Sequence, residues 1–131
     1  MFKINDFLAT HGLEAQWGSD ITNDMIAKPD KDGKIDGFKV FDIREKMLDA
    51  RNPLEVYQEL TEEAITMIKQ YGKIVICCRA GISRSNAIAI SVLINHFDMS
   101  LPQALVLVRE KVPIANPLPC HIEGIERLYY P

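Results

Sequence analysis

Long apolar runs are missing from this sequence: the longest, Ile74 to Cys78 and Ala87 to Ile94, fall far short of the roughly 20 residues a membrane-spanning helix needs. No transmembrane segment is expected. Cysteine is scarce. Three residues cannot all pair within one chain, two of them, Cys77 and Cys78, are neighbours, and neither a Cys-x-x-Cys pair nor a tight histidine cluster offers a structural metal site. Excess positive charge is also absent: 15 Lys and Arg face 18 Asp and Glu, a net charge of −3, which argues against coating nucleic acid or anionic membrane through bulk charge. A local basic site stays open. The N-terminus, Met1-Phe2-Lys3-Ile4-Asn5-Asp6, gains a carboxylate at once and lacks an apolar core followed by a small-residue cleavage site. No signal peptide is expected, and a cytoplasmic location follows by default. Neither an internal repeat nor a low-complexity segment is visible.

What remains is enough for one core. At 131 residues, 47% hydrophobic and 25% charged, residues 1–131 are expected to form a single domain. The first 37 residues carry a short amphipathic piece, Ile4 to Thr10, and then polar, turn-rich sequence. Lys28 to Gly33 reads as a turn. Its Asp30, Asp32 and Gly33 hint at a calcium loop, but the remaining spacing and a terminal Glu are missing, which favours a solvated turn. Asp36-Gly37 marks a further turn before a strand, Phe38 to Ile43.

Asn52-Pro53-Leu54-Glu55 predicts an N-cap, a proline at the first helical position and an acidic side chain able to reach back. Apolar residues from Leu54 to Ile68 then recur at helical spacing, and Gly72 stands where a left-handed residue would end the helix near Tyr71. Lys73 to Cys78 reads as a buried strand. Strand, helix and strand together predict a right-handed crossover with parallel pairing. Cys78 to Ser85 is a short polar loop, Asn86 to Phe97 an apolar helix, Ala104 to Val112 a helix opened by a capping box at Ser100, and Leu118 to Tyr130 a last helix. The expected class is α/β, a mostly parallel central sheet flanked by helices.

The loop between the second strand and its helix carries the chemistry. Open α/β proteins bind anions at such junctions, because backbone N–H groups there lack partners and the helix dipole is positive. Cys78-Arg79-Ala80-Gly81-Ile82-Ser83-Arg84-Ser85 begins with a thiol and ends with a guanidinium and a hydroxyl. Arg84 can offer a planar fork of donors to phosphate oxygens, and Gly81 lets successive amides converge on the same anion. Residues Arg79, Ala80, Gly81, Ile82, Ser83 and Arg84 are thus the candidate phosphate-binding set. The same positive field favours thiolate over thiol at Cys78, making it a candidate nucleophile that would form a phosphocysteine. Ser85 could donate a hydrogen bond to the departing thiolate.

This arrangement closely resembles the cysteine-dependent protein tyrosine phosphatase superfamily, whose signature is Cys, five residues, Arg, then Ser or Thr. Ala80 to Ser85 looks like the loop of its dual-specificity branch, Gly72 to Ile76 like that branch's approach strand, and Val112-Pro113-Ile114-Ala115-Asn116-Pro117 like its ending. The resemblance covers about Phe38 to Tyr130. It implies a metal-independent hydrolase of phosphomonoesters without a cofactor, acting on phosphorylated protein or a small phosphorylated substrate, with phosphate, sulfate or vanadate as loop ligands. It also implies a general acid on a mobile loop some distance before the cysteine. Asp49 stands at that distance, just before the first helix; Asp42, inside the predicted strand, is the competitor.

One departure matters. The family usually has His immediately before the nucleophile, where this chain has Cys77, expected here as a packed residue like Cys120. An inactive phosphate-binding module is therefore the alternative, as is a phosphatase for phosphoinositide, nucleotide or RNA-end substrates, toward which Arg79 adds charge. Rhodanese-like sulfurtransferases also start an anion-binding loop with Cys-Arg-x-Gly, but theirs is shorter. His11, His96 and His121 are expected in ordinary surface or core roles. Trp17 and the C-terminal tyrosines are expected in packing and not as a nucleic-acid platform.

Overall fold

The computed structural model describes residues 1–15 and 18–131; the packing expected of Trp17 lies outside them. Strand β5 (Ile74–Cys78) is buried along its whole length, as a run of Ile, Val and Cys with no charge requires of the middle of a sheet. It pairs in parallel with β2 (Leu8–Gly12) on one side and β4 (Phe38–Asp42) on the other. Two short antiparallel strands, β1 (Phe2–Lys3) and β3 (Lys34–Ile35), complete the order β1-β2-β5-β4-β3. The sheet is thus parallel at its centre and antiparallel at its rims.

Four helices flank it: α1 (Leu54–Tyr71), α2 (Arg84–His96), α3 (Leu101–Lys111) and α4 (Pro119–Tyr129). None of the described helices is long and apolar enough to cross a membrane. Side chains alternate across a strand, so Ile74, Ile76 and Cys78 join the main core with Phe41, Tyr57, Ile88 and Leu93. Val75 and Cys77 face the other way, into a smaller cluster with Ala9, Ile35 and Phe38. Helix α2 is buried from Ser85 to Leu93, the central helix its apolar sequence demands.

Most expected elements appear within two residues of their predicted bounds. Gly72 ends α1 with φ of 86°, and Ser100 with Gln103 forms the capping box of α3. Asp30 Oδ1 accepts from its own turn, from Asp32 N at 2.9 Å and Lys34 N at 3.0 Å. Two local expectations are corrected. Helix α1 starts at Leu54, with Pro53 in the cap position and no side-chain cap. Asn52 instead closes the preceding loop, because its amide finds three backbone partners there: it accepts from Leu48 N and donates to Leu48 O and Ala50 O. Helix α2 begins at Arg84, two residues earlier than expected, so Arg84 and Ser85 belong to its first turn. The N-terminal segment, read as an amphipathic piece and turns, supplies a central strand of the sheet.

Candidate active site

Strand β5 delivers Cys78 to its C-terminal end, and the turn Arg79 to Ser83 leads directly into α2. The carbonyls of this turn are taken up from outside. Cys78 O accepts from Leu13 N, Arg79 O from Glu14 N, and Ile82 O from Asn116 N. Asn86, wholly buried, donates through Nδ2 to Gly81 O at 2.9 Å and Ile82 O at 3.0 Å, while its Oδ1 accepts from Thr10 Oγ1 at 2.9 Å. Among the described residues, none of the N–H groups of Ala80 to Arg84 donates to a protein acceptor. With carbonyls held outward and amides unspent at a helix N-terminus, the turn is built to receive an anion.

Close packing makes that turn possible. Gly81 has φ of 74°, and a Cβ there would stand 2.7 Å from Gly12 N; a Cβ on Gly12 would stand 2.5 Å from Ala80 C. Each glycine therefore admits the other's backbone. Cys78 Sγ lies 3.2 Å from Ser85 Oγ, both residues buried. Arg84 Nη1 donates to Arg44 O at 3.1 Å and Met47 O at 3.3 Å, which ties α2 to the loop following β4.

That loop carries Asp49. A cleft of about 330 Å³ is lined by Asp49, Cys78, Arg79, Ser83, Arg84 and Asn116, among others. The structure thus brings both candidate charged partners and the thiol to one opening. Asp49 Oδ1 accepts from His121 Nε2 at 3.0 Å, and His121 Nδ1 lies 2.7 Å from the Tyr57 hydroxyl. Burial pushes the Tyr57 phenol above its ordinary value. Asp42 is elsewhere: it is held by Arg44, with Nε 3.0 Å from Oδ1 and Nη2 2.8 Å from Oδ2. Burial opposes ionisation of Asp42, but the side-chain and backbone hydrogen bonds from Arg44, with the charges of Arg44 and Arg84, outweigh it and hold the carboxyl below its ordinary value. A group held ionised is poorly suited to enter a reaction as an acid.

Arg79 lines the cleft but points outward, 68% exposed, with Nε 3.4 Å from Glu14 Oε2. Glu14 also binds Arg44 Nη1 at 3.0 Å. Cys77 is buried on the opposite face of the sheet, its thiol 3.6 Å from Val75 O, and burial pushes it up to about 12. It packs, as expected. Cys120 is partly exposed in the first turn of α4. His11 Nε2 lies 3.1 Å from Ala27 O, with burial lowering its pKa, and His96 meets the Phe97 ring edge-on. Tyr129 bonds Ser91 and packs on the main core, as expected, whereas Tyr130 is half-exposed and accepts from Leu101 N.

Sequence reasoning missed Gly12, Thr10, Asn86, Tyr57 and His121. Asn86 was detectable as an amide directly after Ser85, at the head of an apolar run; the others sit far from the loop in the chain and carried no local signal.

A thiol and an arginine thus bracket an anion-receptive turn between strand and helix. The comparisons agree: the family "Dual specificity phosphatase, catalytic domain" matches residues 11–127. The chain belongs to that family, in the dual-specificity branch of the cysteine-dependent protein tyrosine phosphatases. It is 33% identical over 82 residues to MAP kinase phosphatase with leucine-rich repeats protein 3 of Dictyostelium discoideum, an overlap of 63% of this chain and 10% of that protein. Over 46 residues it is 46% identical to human dual specificity protein phosphatase 16, covering 35% of this chain and 7% of the other. The chain therefore matches only a small part of these relatives. Human DUSP28 superposes with a TM-score of 0.57 at 19% identity, covering 92% of this chain and 75% of that one. Tk-PTP in its active form gives 0.57 at 21%, covering 95% and 80%. These two show the shared fold.

Proposed function

We propose that residues 1–131 form one catalytic domain that hydrolyses phosphomonoesters through a phosphocysteine. The observation that carries this reading is the convergence of Cys78, Arg84 and Asp49 on one cleft above a turn with unspent amides. The phosphoryl group sits in the turn, its oxygens bound by the amides of Arg79 to Arg84 and by the Arg84 guanidinium. Cys78 attacks phosphorus in line as the thiolate. The bond to the leaving oxygen breaks, and that oxygen takes a proton from Asp49. Asp49, now a carboxylate, removes a proton from water as it attacks phosphorus. The sulfur–phosphorus bond breaks, phosphate departs, and the Ser85 hydroxyl donates a hydrogen bond to the released thiolate.

As substrate we infer phosphotyrosine and phosphoserine or phosphothreonine in protein. Arg79, the residue that would favour a multiply charged ligand, shares its charge with Glu14, so the guanidinium left to the anion is that of Arg84, which meets backbone carbonyls and no carboxylate among the described residues, and the site suits a single phosphoryl group. A phosphoinositide is the competing substrate; PTPMT1, solved in complex with PI(5)P, shares the fold with a TM-score of 0.55 at 18% identity.

The test is phosphate release from para-nitrophenyl phosphate and from phosphotyrosyl and phosphothreonyl peptides in EDTA, for the parent and Cys78→Ser. Turnover that survives chelation and vanishes with the thiol supports the reading. Absence of turnover with vanadate still bound would make the chain a phosphate-binding module and give weight to the missing histidine at position 77. Release from PI(5)P but from neither peptide would move the substrate to the lipid class.

A further inference from the structure

Behind the Asp49 carboxylate stand two side chains with no part in the proposed reaction, His121 in contact with it and Tyr57 in contact with His121. His121, in the first turn of α4, is wholly buried and bonds both ways, Nε2 to Asp49 Oδ1 at 3.0 Å and Nδ1 to the Tyr57 hydroxyl at 2.7 Å. The Asp49 carboxylate offers Nε2 an acceptor and no hydrogen, so the ring hydrogen of a neutral imidazole resides on Nε2, and Nδ1 is left to accept from the Tyr57 hydroxyl. That hydrogen is donated to Asp49 Oδ1. Once Oδ1 is engaged from the buried side, the proton of the acid form belongs on Oδ2, the oxygen left for the cleft. The two rings meet edge-on and are tightly seated: a Cβ at Gly124, further along α4, would stand 2.6 Å from a Tyr57 ring carbon.

We propose that His121 is a positioning residue for Asp49, with Tyr57 fixing its tautomer, so that the acid presents one defined oxygen, and its proton, to the leaving group. This rests on the reading of Asp49 as general acid. Asp49 is otherwise a half-exposed side chain on a loop, and a carboxylate free to rotate would spend part of its time misaligned, a loss that grows with the basicity of the leaving group.

The experiment measures kcat and KM for the parent, Asp49→Asn, His121→Leu, His121→Gln, Tyr57→Phe and the Asp49→Asn/His121→Leu double variant. The substrates are dinitrophenyl phosphate, whose phenol leaves without help, and phenyl phosphate, whose phenol needs a proton; vanadate affinity reports the anion site. In kcat/KM, which reports the steps up to phosphocysteine formation and leaves out the shared hydrolysis in which Asp49 acts as base, His121→Leu is expected to lose roughly tenfold on phenyl phosphate and no more than about twofold on dinitrophenyl phosphate, with vanadate affinity held. His121→Gln, whose amide nitrogen can replace Nε2 as donor, recovers most of that loss. The double variant matches Asp49→Asn alone.

Equal losses on both substrates, or a His121→Leu factor that repeats in full on the Asp49→Asn background, would overturn the proposal. Should His121→Leu not fold, Tyr57→Phe and His121→Gln decide it: a loss selective for phenyl phosphate in Tyr57→Phe, with His121→Gln near the parent, supports it, and uniform losses reject it. If Asp49→Asn itself loses kcat/KM equally on both substrates, the general-acid reading fails. If Asp49→Asn is selective and the His121 variants are not, only the positioning role fails.

Discussion

Two adjacent cysteines have opposite surroundings because strand alternation sends them to opposite faces of the sheet. Cys78 ends beside Ser85 at the start of α2, whereas Cys77 is enclosed by Ala9, Ile35, Phe38 and Val75. Burial raises the Cys77 thiol from 9.0 to about 12, so the fold prefers its neutral form. Stability from that preference is complete below about pH 9 and is lost as the pH rises toward about 12, because the unfolded chain gives up this proton first. Melting temperature followed across that alkaline window should fall more steeply for the parent than for Cys77→Val. An equal slope would show that Cys77 does not ionise as its burial requires. Gly81 offers a second check at this scale. Gly81→Ala places a side chain at positive φ and 2.7 Å from Gly12 N, so it should cost about 1–3 kcal/mol or more and weaken vanadate binding, read by thermal melting and titration.

Elements matter here through the loops they hold. Asn86, from the first turn of α2, and Asn52, just ahead of α1, do comparable work on different loops: one turns carbonyls of the anion loop outward, the other closes the loop bearing Asp49. Each substitution by alanine should cost about 1–3 kcal/mol through the unsatisfied groups left behind. Their functional signatures should differ. Asn86→Ala is expected to weaken vanadate binding and turnover together; Asn52→Ala should lower kcat on poor leaving groups with vanadate affinity nearly kept. The reverse pattern would mean the two loops are not separately supported.

Much of this scale was legible beforehand. Strands β4 and β5 and helices α1 and α2 announce themselves by long apolar patterns, and Cys78, Arg84 and Ser85 stand in one contiguous motif. The rest was hidden for physical reasons. Strand β2 is Leu-Ala-Thr-His-Gly, too short and too polar to read as buried, and two-residue strands leave no pattern at all. Struts such as Thr10 to Asn86, Tyr57 to His121 and His121 to Asp49 join residues 76, 64 and 72 positions apart, so no local window contains both partners. Asn52 was assigned to the wrong loop end because an amide before Pro-Leu-Glu suits a cap by type, and only the tertiary path of residues 48–51 shows the alternative.

For the whole molecule, the N-terminal segment is structural. Strand β2 flanks β5 on the side opposite β4, and its end packs against the anion loop through Gly12. Deleting residues 1–12 removes β1 and β2 and leaves β5 with an open side, so the truncated chain should lose cooperative unfolding and vanadate binding, checked by thermal circular dichroism and titration. A truncated chain that melts like the parent would show that the sheet closes without β2. The two rims of the intact sheet have a different consequence. Each ends in a strand of only two residues, β1 and β3, which exposes very few free backbone groups for another chain to extend. Growth of the sheet by pairing β1 or β3 with a second copy thus has little template to start from.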